Sequence, residues 1–377
     1  MNWRMPAETA PHDRTWMAFP REGLTLGAGA GDREGGYAAW TAVAHAVASF
    51  EPVTMVVDPT ETARARRMLS REIELLEAPL DDFWMRDSGP TFVLDAERPD
   101  VLGAVDWIFN GWGAPEWATW HNDSEVGRVV AAAAGAELVS SVLVNEGGAI
   151  HVDGAGTVIV TETVQLDPGR NPYADKARVE AELARTIGAT RVVWLPRGLT
   201  RDYDDLGTRG HVDMVATIPS PGHLLLHSQR DSDHPDFEVT RSLRALLEGT
   251  TDAAGRPWRI TELPAPATLR DDEGFVDWNY VNHLVVNGGV IACGYGEPEA
   301  DATARELLAE AYPGREVVTV DAREILARGG GIHCITQQQP SRALPEPVEL
   351  AGPVELRERV ELPGRVELPE RVEGSPR

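Results

Sequence analysis

Cysteine is nearly absent from this chain: among 377 residues only Cys293 and Cys334 occur. Two thiols cannot build a disulfide framework, so stability must come from a packed core, and a reducing cytoplasm is the expected setting. Lysine is scarcer still, with Lys176 the single example, and arginine carries almost all the positive charge. No apolar run reaches the ~18 residues that a membrane span requires. The first twenty residues also lack the basic-then-apolar order of a secretory leader. Positive charge as a whole is in short supply, since 35 Lys and Arg face 60 Asp and Glu, a formal net charge of -25. That balance argues against nucleic acid as a partner, because phosphates need a basic patch. It suits a cationic ligand, and it keeps a protein soluble in either case. Apolar residues are not lacking. At 42% of the chain they suffice for a large core, in about two domains or in one large closed architecture.

One unit recurs along the sequence: an amphipathic helix, an apolar strand, a polar corner and a further strand. The Ala-rich spacing of residues 37–50 predicts a helix, with a strand at Val53–Val57 after it. Residues 124–135 predict a helix with a serine cap and a closing glycine, leading to a strand at Glu137–Val144. Helices over 174–188, 236–249 and 299–312 lead to strands over 190–195, 258–263 and 316–320. Apolar residues at three- and four-residue spacing mark the helices, and short Val-, Ile- and Leu-rich runs mark the strands.

The corners carry the chemistry. They hold Asp87 in Arg86-Asp87-Ser88-Gly89-Pro90, Glu146 in Glu146-Gly147-Gly148-Ala149-Ile150-His151, and His211 with Asp213 in Gly210-His211-Val212-Asp213. Asn282 in Tyr280-Val281-Asn282-His283 and Cys334 in Gly330-Gly331-Ile332-His333-Cys334 complete the set. A recurrence every ~50–70 residues is the mark of a repeat architecture. Five modules, each with a polar corner, point to radial closure, in which every corner faces one axis. An open α/β sheet with unrelated polar loops is the alternative. From residue 341 the chain changes character: Val-Glu-Leu recurs from Val348 in steps of six, separated by Pro, Gly, Arg and Glu. Such a segment buries too little to order itself, so the reading is a catalytic domain over 1–340 and a disordered tail over 341–377.

A thiol after a glycine run and before polar residues is a nucleophile candidate, whereas Cys293, in an apolar run, reads as core filler. A nucleophile needs a proton shuttle and groups that fix the substrate. His211 can shuttle protons near neutral pH. Asp87 and Asp213 are corner carboxylates, and Glu146 precedes glycines that permit close approach. Several carboxylates around one thiol would bind a cation and attack it, and a planar guanidinium fits paired carboxylates best. The plainer readings are these. The motifs around His151 and His211 lack a third ligand for a metal at helical or Cys-pair spacing. His333 would face away from Cys334 in a strand. Asp153 is a turn residue, Asn282 a structural corner residue, and Trp107, Trp112, Trp117 and Trp120 loop packing.

Several stretches together carry a family likeness: Met5-Pro6-Ala7-Glu8, Trp84-Met85-Arg86-Asp87-Ser88-Gly89-Pro90, Phe109-Asn110-Gly111-Trp112-Gly113, the corners at Glu146, His211 and Asn282, Arg170-Asn171-Pro172, and Gly331-Ile332-His333-Cys334-Ile335-Thr336-Gln337-Gln338-Gln339-Pro340. Over residues 1–340 the chain resembles the agmatine deiminases of the guanidine-modifying superfamily, relatives of the bacterial peptidyl-arginine deiminases. The resemblance implies an α/β fold, a five-bladed pseudo-symmetric propeller of ββαβ-type modules around a central active site. It implies that Cys334 attacks the guanidinium carbon, His211 moves protons, Asp87 and Asp213 clamp the guanidinium, Glu146 holds His211, and Trp84 walls the substrate site. Agmatine would become N-carbamoylputrescine and ammonia through a covalent thiouronium, with no cofactor and no metal, in a homodimer. Other guanidine deiminases, amidinotransferases and a non-catalytic polyamine-binding protein are the competing readings. Arg209 and the stretch 228–235 depart from the family pattern and leave the far end of the substrate open. If Arg209 does not meet a substrate carboxylate, it is expected to point away or to pair with an acid such as Asp202, Asp204 or Asp205.

Overall fold

The structure, a computed structural model, describes residues 2–342 apart from Ala28 and Pro99. The expected repeat tail lies, from residue 343 onward, outside the described residues. Five separate small sheets share one plan, an antiparallel strand pair whose second strand crosses through a helix to a parallel third strand. Thr91–Asp95 pairs antiparallel with Leu102–Ile108, which passes through the helix Asp123–Ala134 to the parallel strand Glu137–Val144. The next blade runs Ile150–Val152, Thr157–Thr161, helix Lys176–Ile187, Arg191–Leu195. The one after runs Ala216–Ser220, His223–Ser228, helix Asp236–Glu248, Arg259–Pro264. Then come Leu284–Val286, Gly289–Gly294, helix Pro298–Ala311 and Glu316–Asp321. The remaining blade is shared by the two ends of the domain. Thr336–Pro340 pairs antiparallel with His12–Ala18, which crosses through helix Ala30–Ala48 to Val53–Val57 and then Glu74–Glu77. This pairing closes the ring and decides between closure and an open sheet: the fold is a five-bladed α/β propeller.

Local sequence explains the elements. The helices Asp123–Ala134 and Lys176–Ile187 end on Gly135 and Gly188, both left-handed at φ +62° and +72°, a conformation that glycine adopts without steric cost. Asp175 caps the second of these by accepting from the Arg178 N–H. The expected serine cap of the first is different. Ser124 Oγ donates to the His121 carbonyl, and the helix begins at Asp123, whose carboxylate accepts the N–H groups of Asp81 and Asp82 at 2.8 Å each. The inner strands are buried on both faces, so Val53–Val57 and Thr157–Thr161 read as continuous apolar or β-branched runs. Each fully buried Val or Ile there contributes about 1.5–3 kcal/mol. Among the described residues no helix is long and apolar enough to cross a membrane.

The polar corners occupy the same place in every blade, immediately before the first strand. Asp87 lies in the short helical turn Met85–Ser88, ahead of Thr91–Asp95. Glu146 precedes the 3-10 turn Gly147–Ala149, and His211 precedes the turn Val212–Met214. Asn282 stands just before Leu284–Val286 and Cys334 just before Thr336–Pro340. Radial closure therefore converts five distant sequence positions into one buried polar centre.

Candidate active site

Cys334 is 3% exposed, and its Sγ lies 3.2 Å from Asn282 Nδ2 and 3.5 Å from Asp213 Oδ2. The glycines before it permit this crowding. A methyl group on Gly330 would stand 2.7 Å from the Trp84 ring and 3.1 Å from Sγ, and one on Gly331 would collide with Asn282 Oδ1. Burial, followed by the negative charges of Asp213 and Asp87, pushes the thiol well above its ordinary value. His333 does not behave as expected. Residues 332–335 form a turn, not a strand, so the alternation that would turn neighbouring side chains to opposite faces does not apply. His333 Nδ1 instead lies 2.8 Å from Asp213 Oδ2, the oxygen nearest Cys334, and its Nε2 lies 2.7 Å from Glu8 Oε1.

The other predicted residues converge on the same spot. His211 is fully buried, with Nε2 3.2 Å from Glu146 Oε2 and Nδ1 3.8 Å from Asp87 Oδ1. Burial opposes its protonation, but the carboxylates of Asp87, Glu146 and Asp213 outweigh burial and hold it at about 9. Asp87 accepts from Trp112 Nε1 at 2.9 Å and from the Gly148 N–H at 3.1 Å, and burial raises it to about 6. Gly148 forms one wall of the space between these groups. A methyl group there would sit 2.5 Å from His211 Nδ1, 2.9 Å from Asp213 Oδ2 and 3.0 Å from Asp87 Oδ1. Two buried atoms on residues that line this space, His211 Nδ1 and Asp213 Oδ1, make no hydrogen bond within the described residues. Trp84 stacks on Phe83 and abuts Gly330, beside the thiol.

Four contributors were not singled out from sequence for what they touch. Arg170 Nε meets Glu146 at 2.9 and 3.1 Å, while its Nη1 reaches Asp167 Oδ2 at 2.8 Å and its Nη2 the Thr208 carbonyl at 2.8 Å. Trp112, read as loop packing, does stack on Trp117, but its indole N–H also serves Asp87. Its loop is unusual in that Gly111, Trp112, Gly113 and Ala114 are all left-handed, at φ 66°, 63°, 97° and 56°. Asn282, read as a structural corner residue, faces the sulfur. Glu8 holds His333. All four lie within the quoted motif stretches, which was the available signal. Arg209 pairs with Asp167 Oδ1 at 3.5 Å. None of the three acids expected for it is used, and Asp202 is occupied by the N–H groups of Thr208, Gly210 and His211.

Glu8, His151 and His333 bring donor atoms within 4.8 Å of one another, the residue types of a metal centre. Their surroundings favour another arrangement. The Glu8–His333 pair is a direct 2.7 Å hydrogen bond, and the buried Arg86 guanidinium stands 3.7 Å from the same Glu8 oxygen. Arg86 already supplies positive charge there, and its Nε and N–H bind the carbonyls of His333 and Cys334 at 3.2 and 3.1 Å. An acid-lined cavity of about 670 Å³, with Asp204, Asp205, Glu273 and Asp277 in its wall, borders Gly329, the neighbour of Gly330.

Comparisons with known proteins place this geometry among relatives. Residues 4–340 match the family model described as Porphyromonas-type peptidyl-arginine deiminase. The chain is 53% identical over 341 residues to a Streptomyces coelicolor protein named "Putative agmatine deiminase", covering 90% of this chain and 99% of that one. It is 40% identical over 365 residues to the agmatine deiminase of Pseudomonas aeruginosa strain LESB58, covering 90% and 96%. Among solved structures, the agmatine deiminase of Enterococcus faecalis superposes with a TM-score of 0.83 at 32% identity, over 91% of this chain and 97% of that one.

Proposed function

The chain belongs to the Porphyromonas-type peptidyl-arginine deiminase family, and from that premise we propose that it hydrolyses agmatine to N-carbamoylputrescine and ammonia. It is an enzyme acting on a guanidino C–N bond, and its substrate is a small cationic guanidine. The observation that carries the reading is the pair of unpartnered buried atoms, His211 Nδ1 and Asp213 Oδ1, on residues that line the space at Gly148. A buried polar atom without a partner costs about 1–3 kcal/mol, and a guanidinium N–H relieves that cost at Asp213.

Guanidinium is resonance-stabilised and a poor electrophile. Asp87 and Asp213 hold it and localise its charge, which places the central carbon at Cys334 Sγ. The bound cation offsets the carboxylate field that keeps the thiol protonated, so the thiolate forms when substrate arrives. Sulfur adds to the carbon, and His211, protonated near neutral pH, donates from Nδ1 to the departing nitrogen. Ammonia leaves and an S-alkylthiouronium remains. His211, now neutral, takes a proton from water as the oxygen adds to the same carbon. Collapse expels the thiolate, the hydroxyl proton passes to solvent, and the ureido product is released. General acid–base transfer of this kind contributes about 10²–10⁴-fold. Glu146, anchored by Arg170, keeps the His211 ring in place and its charge favourable.

Agmatine is favoured over arginine because Arg209, the cation that sequence placed within reach of a substrate carboxylate, is engaged by Asp167. The acid-lined cavity beside Gly329 suits a distal amine. Both cysteines are free, which supports a cytoplasmic setting, and a homodimer is expected from the family resemblance. The test is release of ammonia and ureido product from agmatine, free arginine and a blocked arginine peptide. Agmatine should be turned over best, and Cys334→Ala should lose at least ~10⁴-fold in kcat. Turnover of the peptide but not of agmatine sinks the substrate assignment, and an active Cys334→Ala sinks the covalent step.

A further inference from the structure

We propose that the side-chain amide of Asn282 is a catalytic hydrogen-bond donor to Cys334 Sγ, locked in the donating orientation by two backbone groups. The proposal rests on Cys334 being the nucleophile of the reaction above. Asn282 is fully buried. Amide oxygen and nitrogen have nearly the same shape, so the partners must decide which is which. Here they do. Asn282 Oδ1 accepts from the His333 N–H at 2.9 Å, and a backbone N–H can only donate. Asn282 Nδ2 lies 3.3 Å from the Asp213 carbonyl, which can only accept. Flipping the amide would set donor against donor and acceptor against acceptor at a fully buried position. The NH₂ group therefore points at Cys334 Sγ, 3.2 Å away.

The rest of the residue is fixed just as firmly. Its own N–H donates to Asn279 Oδ1 at 2.9 Å, and its carbonyl accepts from the Cys293 thiol at 3.1 Å. Cys293, read from sequence as core filler, thus anchors the backbone that aims at the other cysteine. Any side chain on Gly331 would strike Asn282 Oδ1, so the glycine run serves this contact as well. Two amide hydrogens face three acceptors, because Met214 Sδ also lies 3.3 Å from Nδ2. Thioether sulfur is a weak acceptor, whereas a thiolate is a strong one. The bond to Sγ therefore strengthens when the proton leaves.

The electrical setting explains the need for a donor. Asp213 and Asp87 face the sulfur and oppose its ionisation, with Glu146 and Glu8 behind them. His211, His333 and the buried Arg86 supply positive charge, but His211 and His333 are engaged with carboxylates. The groups that favour the thiolate by direct hydrogen bonding are the Gly331 N–H and Asn282. The same donor serves twice, once when sulfur attacks and again when it departs from the tetrahedral intermediate.

The experiment reads the thiol without substrate. Iodoacetamide labelling of Cys334 is followed by peptide mass spectrometry across pH in wild type, Asn282→Ala, Asn282→Ser and Asn282→Asp. The labelling midpoint should rise by about one pH unit or more in the alanine and aspartate variants, and less in serine, which keeps a donor. With agmatine, the alanine variant should lose ~10²-fold in kcat with little change in KM. An unchanged midpoint in a folded alanine variant overturns the proposal even if turnover falls, because a packing role alone would leave the thiol's titration untouched. A second measurement needs no change at Asn282. The ¹⁵N signal of its side-chain amide in wild type should shift as Cys334 titrates and stop shifting in Cys334→Ser; a flat response overturns the proposal. If agmatine proves not to be the substrate while the midpoint still moves, the substrate assignment fails and the role of Asn282 stands.

Discussion

At the scale of single residues, His211 shows how neighbours set chemistry. Its folded value of about 9 exceeds the ordinary 6.5, so its positive charge supports the fold fully below about pH 6.5, and that support is lost as pH rises through 9. In the proposed reaction the same displacement keeps it protonated when ammonia must leave. The alkaline limb of kcat/KM is therefore expected near 9 and assigned to His211. Glu146→Gln removes one of the anions that hold the proton, and it leaves Arg170 with Asp167 as its remaining carboxylate partner. The alkaline limb should move down by about one unit in that variant. A limb that stays in place in the pH–rate profile would show that another group titrates there. Legibility from sequence stopped at a clear boundary on this scale. Cys334, His211, Asp87, Asp213 and Glu146 are reactive or ionisable types beside glycines, and their residue types suggest chemistry unaided. Asn282 and Trp112 are not ionisable, Arg170 and Glu8 stand outside the glycine corners, and all four matter through what they touch.

At the scale of elements, turn chemistry was legible where glycine or periodicity fixed the backbone. The helix ends at Gly135 and Gly188, and the strands Val53–Val57 and Glu137–Val144, stand where the pattern put them. It failed where tertiary partners chose the conformation. The helix start near Ser124 is set by the grip of Asp123 on two distant N–H groups, and the segment around His333 is a turn because it packs on Asn282, Asp213 and Glu8. The corner Gly147–Ala149 offers an element-level test. Gly148→Ala places a methyl group among His211, Asp213 and Asp87, in the space assigned to substrate. The variant should fold, with a melting temperature lower by a few degrees, and lose ~10²-fold or more in kcat/KM through a raised KM. Near-normal KM would mean that the guanidinium lies elsewhere.

At the scale of the whole molecule, the five-module count and the closure were readable because one unit recurs with its polar corner in the same place each time. The union of the two ends of the domain in one blade was not, since nothing local in His12–Ala18 or Thr336–Pro340 names the other as its partner. That shared blade makes the boundary of the domain testable. A chain ending at Arg342 keeps the described strand pairing and should retain full activity, whereas one ending before Thr336 leaves His12–Ala18 with an open edge and also interrupts the support of the Asp213–His333 pair. The shorter chain should be insoluble or inactive, as sedimentation and activity measurements will show; soluble, active protein would mean that ring closure is dispensable.

The seam between Thr336–Pro340 and His12–Ala18 also sets a schedule for birth on the ribosome. The strand that receives the last blade is among the first residues made, and the strand that completes it is among the last of the domain. At about 5–20 residues per second, the early edge waits on the order of tens of seconds for its partner. Cys334 arrives with that late strand, so four blades can assemble while the proposed nucleophile has yet to be translated. On the proposed mechanism the growing chain is chemically silent until its final seam is sewn, and an exposed, waiting strand edge is where a chaperone would be most needed.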